Sequence, residues 1–407
     1  MTSSLTWVDY DSEARDRSLR ILSLFQQRES RDELGFGAIR DSFADKLFPG
    51  TSTIQTRIRY MLFVPWIYQM LEDKKVKANE FGDRASKLEL RLVQPLLQSE
   101  DSVGAFGKVS GSKLQRLPSS VYWAGLGSWG IRTFDTSQDQ YHSRIDQVYL
   151  RRSIQSNQSK DNLQRGDGSD VALAAETFTW HPNIPAPPQD LFDQANFLLS
   201  LEEATFLRER ITLSHPDSFL AWLVGDPKPI NIASPWQHPN MFDISSEHKA
   251  LLYHARLFSV VMHGASLLYN VLLADASAWR SKKDEYVESF QLWCEELDEV
   301  DITGWALSEL WELVIDLDHR VTPAARDFVQ SWVGLVKGDK YGLLRSSYAL
   351  NLVKNREISL KKNQSRFVNR DALQQWGGAS GVGRLNYRWQ TAQTFLNDLS
   401  KGINEGV

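Results

Sequence analysis

Three histidines, His248, His254 and His263, fall in one apolar stretch and are the first residues to test for chemistry, because neutral imidazoles are common metal ligands. Spacings of six and nine residues set them about 240° and 180° apart around a helix, so they share no ligand face. Cys294 is the only cysteine. It sits in Trp293-Cys294-Glu295-Glu296, where carboxylates disfavour a thiolate, so packing is its expected role. An internal disulfide and a cysteine metal cluster are excluded. Asp167, Asp170 and Glu176 would be a metal-dependent nuclease set only if a polar insertion brought them together. Asp316-Leu317-Asp318-His319-Arg320 is the densest acid and histidine cluster; Asp316 and Arg320, spaced as an i,i+4 pair at a helix end, read as a surface ion pair. The Gly377-Gly378-Ala379-Ser380-Gly381-Val382-Gly383 run lacks the preceding strand and following lysine of a phosphate loop. No H-E-x-x-H, no G-x-x-x-x-G-K-[ST] and no G-x-S-x-G occurs. The expectation is a chain with no catalytic residues, no metal ligands and no cofactor.

Charge is the stronger signal. From Asn351 to Gly402 nine Lys/Arg face three acids, a local +6 that leaves −11 for the rest of a chain whose total is −5. Lys361, Lys362, Arg366, Arg384 and Arg388 lie among glycines and aromatics and could grip a phosphate backbone. The same cluster could instead dock on the acidic remainder of the chain. Nearer the start, Ile39, Phe43 and Leu47 predict a helix that ends before Pro49-Gly50. Ser52 and Gln55 form an S-x-x-Q capping pattern for a second helix, lined by Ile54, Ile58, Met61 and Leu62, which Pro65 should kink or end. This is a helix-turn-helix outline, with Gln55, Arg57 and Arg59 where a recognition helix reads bases. An ordinary αα-hairpin with solvated arginines fits the same residues. A further short helix, begun at Ser119 or Ser120 and leaving through Gly127 and Gly130, would suit a winged helix entering its wing or any ordinary helix end.

The elements that must position these residues are helical. Ser245–Asp275 runs about thirty residues without proline and is apolar almost all round from Leu257 to Ala274, as a buried core helix is. His263, Ser259, Ser266 and Asn270 inside it argue against a membrane span. Gly264, Ala265 and Ser266 offer a neighbouring helix close approach. Asp11–Gln27 reads as an amphipathic helix, Ser200-Leu201-Glu202-Glu203 as a capping box, and Thr322-Pro323 as an N-cap followed by proline at the first helical position. The fold class expected is mainly α: an N-terminal helical, winged-helix-like module over 1–150, a flexible polar and proline-rich connector over 151–190, and a larger irregular helical bundle over 191–407 that carries the basic segment. With a polar, acidic start and no signal-peptide core, the expected location is the cytoplasm.

Two stretches carry a resemblance: LGFGAIRDSFADKLFPGTSTIQTRIRYMLFVPWIY, and SRFVNRDALQQWGGASGVGRLNYRWQTAQTFLNDL with its Tyr387-Arg388-Trp389 triplet. With TWHPNIPAPP and FLLSLEEATFLRERI, they resemble a bacterial family known only as a domain of unknown function. The resemblance implies one family over the whole length and genes in mobile or anti-phage defence neighbourhoods; it implies no activity. The expected function is a non-enzymatic nucleic-acid-binding or adaptor subunit of a bacterial complex, with protein partners encoded nearby. The alternatives are a protein-only interaction scaffold and a metal-dependent nuclease or hydrolase without a recognisable motif.

Overall fold

The computed structural model describes residues 32–108, 116–163, 178–316 and 318–405, with the backbone alone over 155–163. The expected Asp11–Gln27 helix and the Asp167, Asp170 and Glu176 set lie outside the described residues. The protein is mainly α. Among the described residues the only pairing of extended backbone is one antiparallel bridge, Arg132 with Trp180. The chain divides into two compact units, one of the residues up to Phe43 with Ala250–Leu385, the other of Ala44–Lys249 with Asn386–Val407.

The first unit is built on the Ser246–Ala276 helix from Ala250 onward, whose apolar half is buried almost throughout. Ser245 caps it, its hydroxyl accepting the His248 amide at 3.2 Å. This helix is long and apolar enough to cross a membrane, yet 83% of its most apolar window is buried inside the protein. The indoles of Trp293 and Trp332 donate to its Val260 and Val261 carbonyls at 2.8 and 2.9 Å. A helical carbonyl has a second lone pair to accept them. Gly264 permits this approach, since a Cβ there would lie 2.2 Å from the Trp293 ring. The glycine-rich loop is folded against the same helix: the Asn270 side chain donates to the Ser380 carbonyl at 2.7 Å and accepts its amide at 2.9 Å.

The second unit centres on the Tyr60–Asp73 helix, in which every residue from Tyr60 to Tyr68 is buried. The helix was expected to open at Ser52. Gln55 does accept the Ser52 amide at 2.9 Å, but residues 52–59 form two short turns joined by irregular backbone. The cause is competition for backbone donors. Tyr122 takes the Thr56 and Arg57 amides at 2.8 and 3.1 Å, and Asp398 takes that of Ile58 at 3.2 Å. Pro65 does not end the helix; burial of the surrounding run outweighs the lost bond and ring clash, together about 3 kcal/mol. Gln55, Arg57 and Arg59 therefore precede the second helix, and the recognition-helix geometry is not formed. The short Pro118–Ser128 helix leaves through Gly130 at φ +63° into the Arg132–Trp180 bridge, with no wing strands among the described residues. The polar stretch from Arg151 begins as a continuation of the Gln138–Leu163 helix. The proline segment is packed: Pro185 is buried and its carbonyl accepts the Trp66 indole at 2.6 Å.

Candidate functional site

Gln55 and each cation singled out in the sequence have a definite place. In the second unit, Gln55 is buried and closes its own turn, donating to the Gly50 carbonyl at 3.3 Å. Arg57 forks onto Asp398, with Nε and Nη2 at 3.0 and 2.8 Å, and reaches Asp101 at 2.8 Å. Arg59 pairs with Glu203 at 2.7 Å and donates to both oxygens of Asn196 at 3.0 and 2.9 Å. Arg388 binds Asp45 and, at 2.9 Å, the Thr51 carbonyl. In the first unit, Lys361 and Arg366 share buried Glu33, Arg366 at 2.9 Å. Burial, with Arg366 alongside, brings the Lys361 ammonium down to about 8. Arg384 forks onto Glu296, whose carboxyl it holds below the ordinary range. Lys362 is exposed.

The two buried arginines converge on one segment, residues 196–203. Arg57 lies 4.5 Å over the Phe197 ring, and Tyr60 and Phe63 contact the same ring. Asn196 Oδ1 also accepts the Leu198 amide at 2.9 Å. Ser200 caps the Leu201–Ser214 helix with the full capping box read from the sequence, and Glu203, its second member, is the carboxylate that Arg59 grips. Gly402 lets the Trp389–Asn404 helix close on this segment, because a Cβ there would lie 2.7 Å from that of Leu199. Held from these directions, the segment turns Leu198 and Leu201 outward at 52% and 48% exposure. Such fixing of a loop by charged forks costs little disorder, since the guanidinium is planar and preorganised.

A cleft opens on either side. One, of about 590 Å³, runs from Leu198 past Phe197 to Glu100, Asp101, Asp193, Asp398, Lys401 and Glu405. The other, of about 560 Å³, runs from Ser200 and Leu201 over Pro185 and Phe206 to Glu202 and Glu209. The sequence announced the capping box but not this surface. Its partners are brought together from positions up to 341 residues apart.

Of the other candidates for chemistry, His248 and His254 have hydrogen-bond partners and His263 Nδ1 has none. His248 contacts the Asp217 carbonyl at 3.0 Å, and His254 accepts the Trp305 indole at 3.0 Å. His263 Nδ1 is buried without a hydrogen-bond partner, and burial lowers this imidazole to about 4. Asp316 and His319 lie beyond the Leu307–Val314 helix and bond to each other at 2.8 Å, so the expected helix-end spacing of Asp316 and Arg320 is not formed. Cys294 is buried and its thiol pushed up to about 11, which suits packing. No group of three or more potential metal ligands occurs among the described residues. Two buried carboxylates of the second unit stand out. Glu72 receives the Tyr141 and Thr179 hydroxyls, the Trp180 indole and Arg152. Glu89 receives the amide and hydroxyl of Ser119 at 2.8 and 2.7 Å, yet burial pushes it up to about 7.

Among the described residues these features define a mainly α protein in which six of the seven cations singled out are paired with carboxylates, Lys362 being exposed, and an apolar segment stands between two acid-rimmed clefts. The chain belongs to a family of unknown function, DUF6361, whose model matches residues 2–402. No curated protein and no solved structure matches it.

Proposed function

We propose that the chain is a non-enzymatic adaptor subunit that holds a protein partner in a larger complex. The observation that carries this reading is the use of Arg57 and Arg59. Arg59 grips Asn196 and Glu203, and Arg57, forked onto Asp398, lies over Phe197, so both are buried against residues 196–203, where two half-exposed leucines stand between clefts of ligand-binding size. Polyanion contact through these side chains would have to break buried pairs, at a cost of several kcal/mol each. A nucleic-acid role draws separate support from Lys354, Lys362 and Arg370, which are exposed in the first unit.

Co-expression with the proteins encoded beside it tests the adaptor reading. The expected result is a stoichiometric complex by light scattering, with no nuclease or nucleotide hydrolase activity in the isolated chain. A chain that remains alone beside every neighbour, or that degrades nucleic acid with added divalent metal, would overturn it. Titration with duplex DNA at several salt concentrations reads the second role: Lys354, Lys362 and Arg370 changed together to Ala should lower the salt slope by about three if all three contact phosphate.

A further inference from the structure

We infer that the Leu198–Leu201 surface of the second unit takes a basic, apolar peptide segment of a partner protein, with large apolar side chains in the two clefts and lysine or arginine on their rims. This deepens the adaptor reading and rests on it.

The apolar half of the argument is geometric. Leu198 and Leu201 are about half exposed on a segment that is otherwise locked, and the buried residue between the clefts is Leu199. Phe197 lines one cleft, and Phe206 and Pro185 line the other. Preformed apolar floors beside exposed leucines leave little ordering cost for a partner to meet.

The cationic half is charge complementarity. Glu100, Asp193 and Glu405 rim the first cleft and Glu202 and Glu209 the second, all exposed. Two cations line these clefts: Arg57, already forked onto Asp398 and Asp101, and Lys401. A cationic segment therefore gains on approach, and an acidic one is repelled.

The test uses a fluorescein-labelled synthetic leucine/lysine amphipathic peptide and its leucine/glutamate counterpart, titrated by anisotropy against the full chain. The expected result is saturable binding of the lysine peptide at least about tenfold tighter than the glutamate peptide. Changing Leu198→Ser with Leu201→Ser should weaken it at least about tenfold while the variant still melts cooperatively, because about half of each side chain is already exposed. Changing Glu202→Lys with Glu209→Lys should shift the preference toward the glutamate peptide. Hydrogen exchange should show protection within residues 193–209. Equal binding of the two peptides, or unchanged affinity in the leucine double variant, would overturn the inference. If a neighbour-encoded protein forms a complex that protects other residues, the adaptor reading stands and this assignment of its partner falls. If no neighbour binds, the adaptor reading itself falls, whatever the peptides do.

Discussion

Arg59→Met would leave Glu203 buried with its strongest partner gone. The expected loss is about 3–5 kcal/mol in urea denaturation, the usual cost of stranding one half of a buried ion pair. Faster amide exchange over 196–203 should accompany it. Lys361→Ala with Arg366→Ala should act similarly on the first unit by stranding Glu33. Glu89 gives a pH prediction. Its folded pKa, about 7, lies above the ordinary carboxyl value, so between those limits the folded state holds a proton that the unfolded chain has released. Its contribution is therefore full below the unfolded pKa and is lost as pH rises through 7, a fall on the order of 3 kcal/mol for a shift of this size. Glu89→Gln should flatten that fall when stability is measured from pH 5 to 8. Residue types were readable in the sequence, as with the forked arginines; their partners were not, because Asp398 and Glu203 are supplied by distant turns of chain.

Among the elements, Gly264→Ala is the sharpest test. The added methyl would meet the Trp293 ring well inside contact distance, so the indole must give up its bond to Val260 or the helices must part. About 1–3 kcal/mol of destabilisation is expected, read as a lowered melting temperature. Ser200→Ala removes a full capping box and should cost about 1 kcal/mol. Helices with local signals were legible: the central helix agrees to within a residue at each end, Thr322 caps the Pro323–Asp339 helix, and Ile39, Phe43 and Leu47 are all fully buried. The second helix is capped seven residues later than expected, at Arg59 and not Ser52, because its early amides go to Tyr122 and Asp398, which no local pattern reveals. The clefts were not legible either, being properties of assembled surface and not of any one stretch.

At the scale of the molecule, the two units should answer acid differently. His263, lowered to about 4 by burial, stays neutral when folded, while the unfolded residue takes a proton near its ordinary value. Its contribution is present above that value and is lost as pH falls from about 6.5 toward 4. Over the same descent Glu89 favours the second unit. Hydrogen exchange at pH 5 and pH 7.5 should therefore show the first unit loosening on acidification relative to the second, and His263→Phe should remove much of the difference. The long reach of the Arg57–Asp398 pair also bears on biosynthesis. Arg57 emerges from the ribosome 341 residues before Asp398. Until then its guanidinium has only Asp101 and the Val103 carbonyl from the early chain, and Phe197 must wait as well. Chains stalled before Asp398 would lack the fork that holds Arg57 over Phe197, one of the contacts on residues 196–203. A partner that requires that segment braced would thus distinguish finished molecules from unfinished ones, and assembly would follow translation.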